Sequence, residues 1–185
     1  RGEFELNRKR PAEAAEYFSE IERLYPYSEW AKRALIMQAY GNHKAGNYEE
    51  ARGAAQRFLD TYPTDEDAAY AQYLLALSYY DQIDDVGRDQ GLTFQALQGL
   101  RTVVEEFQTT TQTPEALLRL VEAYLALGLL DEAQTAGAIL GHNFQSSPFY
   151  DDAFRQLRGR GLSAEVRGDS WLTNVYRQTI QGRWL

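Results

Sequence analysis

Few side chains in this sequence could do chemistry by themselves. His43 and His142 are the only histidines and cysteine is absent, which excludes disulfides, thiolate metal sites and cysteine nucleophiles. One histidine stands at the end of a helical pattern and the other after the last turn of another. Neither falls in an HExxH or other paired-ligand spacing, so both read as helix-terminus or surface residues. Asp81, Asp84, Asp85 and Asp89 form an acidic cluster that lacks the alternate-residue oxygens and closing glutamate of an EF-hand loop. Capping aspartates in a structured loop describe it better. No glycine-rich phosphate loop, GxSxG elbow or triad is present. The chain reads as non-enzymatic, and no metal or cofactor is expected. For Gly87-Arg88-Asp89, in the same segment, a contact role and simple loop closure stand as equal readings.

Binding chemistry is better provided for. Thirteen tyrosines, eight phenylalanines and three tryptophans can fill gaps between helices or build contact surfaces. Tyr40, Tyr70, Tyr73 and Tyr80, with Arg33, Gln38 and Asn42, fall on stretches that pattern as the first helices of helix pairs. Such helices line the concave face of a repeat superhelix, where these side chains would offer an aromatic, hydrogen-bonding groove to an extended peptide. Taken singly, each tyrosine also reads as core with its hydroxyl at the solvent edge. A net charge of −8 argues against nucleic-acid binding, which needs a surplus of lysine and arginine. No apolar run approaches the ~20 residues that span a bilayer. The opening RGEFELNRKR has no apolar signal-peptide region and no initiating methionine, as expected of a processed or partial chain.

The elements that must position these residues repeat. In Ala39 to Pro63, one helix ends, Gly46-Asn47 turns, and a second helix runs from about Tyr48 to Thr61; Ala51 allows close approach, Phe58 fills the interface and Pro63 stops the unit. Ala14, Phe18, Ile21 and Pro26 stand at the offsets of Ala51, Ala55, Phe58 and Pro63, with both alanine-to-proline separations 12 residues. Ser28 reads as an N-cap with Glu29 just inside, followed by Trp30, Leu35, Met37 and Tyr40. A third unit runs from about Asp67 to Gln82, then an irregular insertion over 81–91, then Thr93 to Phe107 with Ala96, Leu100, Val103 and Phe107 in helical register. The last unit opens with Thr113-Pro114 as cap and first helical residue, breaks at Gly128 and closes at Leu140-Gly141. A short helix from about Phe149 to Leu157 would cap the stack. The expected fold is an all-α TPR solenoid over residues 1–157, about three and a half helix pairs, followed over 158–185 by a loop and an amphipathic tail helix. For that tail, with Trp171, Arg177, Arg183 and Trp184, docking on a protein is favoured over an interfacial membrane position.

Three phrases are more specific than a generic repeat: AAEYFSEIERLYPYSEWAKRA (14–34), YAQYLLALSYYDQIDDVGRDQ (70–90) and TPEALLRLVEAYLALGLLDEA with the following LGHNF (113–144). Over about residues 5–157 the chain resembles the BamD-type (ComL/YfiO-like) TPR lipoproteins of the outer-membrane β-barrel assembly machinery, particularly their alphaproteobacterial form. That resemblance implies a non-enzymatic scaffold at the periplasmic face of the outer membrane, held by an acylated N-terminal cysteine that this sequence does not contain. It also implies partners: the barrel-forming assembly subunit through its periplasmic domains, other assembly lipoproteins, and unfolded outer-membrane protein substrates. Carried over, the substrate-facing residues are Tyr27, Trp30, Arg33, Tyr40, Tyr70 and Tyr73, and the partner-docking residues are Arg101, Glu105 and Arg119. The family pattern has five repeats. Here Leu100 runs directly into Arg101, joining the second helix of a third repeat to that of a fourth, so about one repeat is missing at this point, by deletion or omission. The rival reading is a generic TPR adaptor for a peptide terminus. It calls for a basic carboxylate clamp, of which only Arg33 is present.

Overall fold

The computed structural model describes residues 2–7, 10–84 and 90–180. Among them every regular element is a helix, and the order is α1 (Gly2–Asn7), α2 (Pro11–Leu24), α3 (Glu29–Lys44), α4 (Tyr48–Thr61), α5 (Ala68–Tyr80), α6 (Gln90–Glu106), α7 (Thr113–Leu127), α8 (Leu130–Asn143), α9 (Pro148–Gly159) and α10 (Trp171–Ile180). The all-α helix-pair architecture expected from the sequence is what forms. Helices divide between two compact units, Arg1–Ile83 with α1–α5 and Asp84–Leu185 with α6–α10. The Gly87-Arg88-Asp89 stretch, Asp85, and the Arg183 and Trp184 end of the tail lie outside the described residues.

In the first unit, consecutive helices pack as antiparallel neighbours because the links between them are too short for any other return. Alanines set the spacing. Ala14, Ala34, Ala39, Ala51, Ala54 and Ala55 are buried at the helix contacts, and Phe58 fills the space between them without any exposure. Gly46 takes a left-handed φ of 80° in the α3–α4 turn, a conformation only glycine adopts freely. Gly41, inside α3, allows a close backbone approach: a Cβ there would lie 2.9 Å from the Pro11 carbonyl oxygen of α2.

One turn recurs wherever a helix pair hands over to the next. Tyr25, Tyr62 and Phe144 end α2, α4 and α8 with nearly identical backbones (φ −132°, −131° and −133°), each N–H still donating to the carbonyl four residues back. Phe107 does the same after α6. Each aromatic carbonyl then accepts the N–H three residues on, from Ser28, Asp65, Thr110 and Ser147 respectively. The aromatic residue ends one pair and the short polar residue three positions on closes the turn toward the next.

In the second unit, α7 packs against α6, α8 and α9, and its buried Leu117, Leu120, Val121 and Leu125 form the centre of the core. Gly128 terminates α7 in a left-handed conformation (φ 74°). Two local expectations are corrected. Thr113 lies inside α7 and its hydroxyl donates to the Phe107 carbonyl at 2.6 Å, tying the helix to the end of α6 instead of capping it. Gly141 does not close α8, which continues to Asn143; it is small because the Tyr150 ring of α9 lies where a Cβ would come within 2.7 Å. The segment after α9 is strapped along α8. Thr135 Oγ1 donates to the Arg167 carbonyl and accepts the Arg167 N–H, both at 3.0 Å, and Gln134 donates to the Ser163 carbonyl. Beyond it, α10 packs on α8 with Leu172 and Val175 buried.

Candidate functional site: an exposed aromatic junction

The first handover turn, Tyr25-Pro26-Tyr27-Ser28, departs from the other three. Ser28 Oγ donates to the Tyr25 carbonyl at 2.6 Å and accepts the Ala31 N–H at 3.1 Å, so one hydroxyl closes the turn and caps α3. Between them Tyr27 has φ 63°, the only positive φ among the described non-glycine residues. A tyrosine there is strained by roughly 1–3 kcal/mol relative to the ordinary regions. Its ring meets little in return, being 87% exposed. Tyr25 at 61%, Trp30 at 70% and Leu24 at 52%, within three residues of Tyr27 along the chain, are exposed as well.

Two hollows of this unit are lined by residues from the turn and from α3. A larger one, about 680 Å³, is lined by Pro26, Tyr27, Leu35 and Tyr62 together with Glu22 and Arg57. A smaller one, about 260 Å³, is lined by Trp30, Arg33 and Met37 of α3 with Phe18 and Ile21 of α2. The larger hollow has a fixed polar wall. Arg57 bonds to both oxygens of the Glu22 carboxylate at 3.2 and 3.1 Å, and Gln38 donates to Glu22 at 2.8 Å while accepting from Arg57 at 3.1 Å. The Glu22–Arg57 charges are paired with each other, while Arg23 and Asp60 add one further charge of each sign to the lining. Such a mixture of aromatic faces and polar groups suits an extended segment that offers both apolar side chains and hydrogen-bonding groups.

The six residues expected to face substrate fall into two groups. Tyr27, Trp30 and Arg33 are exposed, Tyr27 on the larger hollow and Trp30 with Arg33 on the smaller. Tyr40 and Tyr70 pack against the buried Ala39–Ala54–Ala55–Leu74 cluster, and Tyr73 is only 4% exposed, so these three rings build the wall of the unit. Glu22, Arg57 and Tyr62 were not singled out from the sequence. The offset of 37 residues between Tyr25 and Tyr62 was the signal that could have found the last. Behind the surface, Lys32 of α3 bridges Glu29 at 2.9 Å and Asp65 at 2.8 Å. The Lys32 ammonium and the Asp67 N–H hold the Asp65 carboxyl below its usual range, and Asp65 and Glu29 push Lys32 upward.

His43, in the last turn of α3, is buried and lies 2.9 Å from Asp81, with its Nδ1 meeting no partner among the described residues. Asp81 thereby pins the end of α5, as does Arg52, which stacks on Tyr79 and donates to Gln82 at 2.6 Å. His142 is exposed and touches the Tyr176 ring. Among the described residues no group of three potential ligands could hold a metal ion, and no helix is long and apolar enough to cross a membrane.

In the second unit Arg101 and Glu105 of α6 bond at 2.9 Å and border a cleft with Trp171 of α10. The Arg101 guanidinium lies over the Trp171 ring, whose indole N–H donates to Tyr124 Oη at 3.3 Å. Burial raises the Tyr124 phenol above its usual value. Arg119 sits apart on α7, between Glu115 and Glu122.

Residues 1–106 match the family model YfiO, described as an outer membrane lipoprotein. The chain belongs to the YfiO family. It is 38% identical to the outer membrane protein assembly factor BamD of Caulobacter vibrioides over 212 residues, covering 87% of this chain and 70% of that protein. A second relative, the BamD of Rickettsia prowazekii, is 32% identical over 204 residues, covering 83% of this chain and 81% of its own length. Both alignments are longer than the portion of this 185-residue chain that they cover, so each relative carries residues inside the matched span that this YfiO member lacks. The Leu100–Arg101 join itself lies within the unbroken α6, where Leu100 is fully buried.

Proposed function

We propose that this chain is a non-enzymatic scaffold and substrate-binding subunit of outer-membrane protein assembly. The observation that carries the reading is its membership of an outer membrane lipoprotein family whose relatives are named outer membrane protein assembly factors. The first unit receives extended segments of unfolded barrel proteins at Tyr27, Trp30 and Arg33, with Tyr40, Tyr70 and Tyr73 shaping the wall behind them. Barrel strands alternate apolar and polar side chains, and the turn with the two hollows pairs aromatic faces with hydrogen-bonding groups. The second unit docks on the periplasmic domains of the barrel-forming subunit through Arg101, Glu105 and Arg119, beside other assembly lipoproteins. An acylated cysteine upstream of Arg1 holds the protein at the periplasmic face of the outer membrane.

A photo-crosslinking residue placed at Trp30, at Arg119 or at the exposed control Thr64 tests this in cells. Position 30 is expected to capture newly exported barrel proteins, and position 119 the barrel-forming subunit. Equal labelling of barrel proteins from positions 30 and 64, or recovery of cytosolic chaperones alone, overturns it.

A further inference from the structure

Helices α2–α4 of the first unit recur as α6–α8 of the second in one register. Tyr25 and Phe107, Gly46 and Gly128, and Tyr62 and Phe144 each stand 82 residues apart. In the first unit Ser19, Asn42 and Gly53, one from each helix, line a hollow of about 410 Å³. Their counterparts in that register are Arg101, Tyr124 and Thr135. In the second unit these three hold the segment that leads into α10. Thr135 exchanges two bonds with Arg167, the Arg101 guanidinium lies on the Trp171 ring, and the Trp171 indole donates to Tyr124 Oη. The first unit packs its helix pairs with no helix in the equivalent groove, so the repeat does not require one there. α10 is an occupant of the groove, added to the repeat.

We infer that α10 is a displaceable, autoinhibitory cover on the docking face of the second unit, swinging about Gly168 while the strap before it stays on α8. This rests on the docking role proposed for Arg101 and Glu105, and adds its regulation. The strap is firmly held, by the two Thr135–Arg167 bonds at 3.0 Å and by Gln134 donating to the Ser163 carbonyl at 2.9 Å. Gly168, with φ 66°, follows directly. Beyond it α10 is held more lightly. Leu172, Thr173 and Val175 are buried, but Asn174, Arg177 and Gln178 are exposed, and the indole bond to Tyr124 is long at 3.3 Å. Arg177, the one charged residue of α10, pairs with Asp169 of the preceding loop. Closed, α10 sets the Trp171 ring on the face of the Arg101 guanidinium and engages the Tyr124 hydroxyl, withholding both from a partner. A partner that needs them selects molecules with α10 moved aside, and its apparent affinity falls by the fraction that is closed.

The test titrates the full chain with the purified periplasmic domains of the barrel-forming subunit. Trp171→Ala, which loses both contacts, is expected to bind those domains about fivefold more tightly. The converse arm locks the cover shut. The His142 and Tyr176 rings lie 5.7 Å apart and the chain has no cysteine, so a His142→Cys, Tyr176→Cys protein can be joined there by a short bismaleimide. The joined protein should bind at least about fivefold more weakly than the same protein capped with N-ethylmaleimide. This arm decides if Trp171→Ala does not fold. Equal binding by joined and capped proteins overturns the cover, as does a folded Trp171→Ala protein that binds no more tightly than its parent. In either case the docking role stands if Arg119→Glu still weakens binding. No binding by the unaltered, Trp171→Ala and capped proteins alike overturns both.

Discussion

Arg57 on α4 holds Glu22 on α2 by two bonds, and Gln38 on α3 closes the triangle by donating to that carboxylate and accepting from that guanidinium. Three helices are thereby stapled by one polar cluster at the wall of the larger hollow. Gln38 is buried, whereas the Arg57 side chain is half exposed. Replacing Gln38 with leucine, close in volume, removes two bonds and is expected to cost about 1–2 kcal/mol in chemical denaturation. The Glu22–Arg57 pair itself should show a coupling of only about 0.5–1 kcal/mol in a double-mutant cycle, because water screens it.

Two glycines in neighbouring helices should respond with opposite signs to alanine. At Gly41 a methyl group would meet the Pro11 carbonyl oxygen at 2.9 Å and the Ala15 Cβ at 3.3 Å, and the backbone of α2 must give way. Gly41→Ala is expected to destabilise by about 1–3 kcal/mol. At Gly53, inside α4, the nearest neighbour of such a methyl is the flexible tip of Arg57 at 3.6 Å. There the better helix propensity of alanine prevails, and Gly53→Ala should stabilise by about 0.5–1 kcal/mol. Thermal melts of the two variants decide it.

The Lys32–Asp65 bridge makes stability depend on pH in a calculable direction. The pKa of Asp65 is lower in the folded protein than its ordinary 3.8, so the unfolded chain binds its proton first. Its contribution is present above that ordinary value and is lost as pH falls through the lower folded value. Asp65→Asn should therefore melt below the parent protein at pH 7, with the gap closing in the acid range below 3.8. A gap unchanged down to pH 2 would remove the bridge from the account of stability. Lys32, raised by the same partners, keeps its contribution through neutral pH and loses it only at strongly alkaline pH.

Trp171 joins α10 to both α6 and α7, through Arg101 beneath its ring and Tyr124 at its indole nitrogen. Trp171→Phe keeps a ring over Arg101 and loses the hydrogen bond, and is expected to cost about 0.5–1.5 kcal/mol. Trp171→Ala loses the ring as well, and should cost about 0.5–1 kcal/mol more. Hydrogen exchange should then accelerate in α10 before it does in α7, whose core leucines are untouched.

The regular parts of this protein were legible in its sequence. The second helix of the Ala39 to Pro63 unit has the bounds that its spacing predicts, and Ser28, Gly46 and Gly128 do what local chemistry requires of them. Helix caps, left-handed turns and small-residue contacts depend on neighbours within a few positions, so the order of residues carries them. Gly141 shows where that reasoning stops: its sequence context suits a helix end, but the ring of Tyr150 decides its role from another helix. The site divides in the same way. Exposed Tyr27 and Trp30 sit at a turn that the sequence marks, whereas the separation of buried Tyr73 from exposed Arg33 depends on which face each helix turns inward. The Glu22–Gln38–Arg57 triangle is drawn from three helices, at separations of 16, 19 and 35 residues, and no local pattern announces it. By itself the sequence determined the helix pairs and the residues available at each turn. Only packing of those helices decided which aromatics stay in solvent, because burial is set by neighbours distant along the chain.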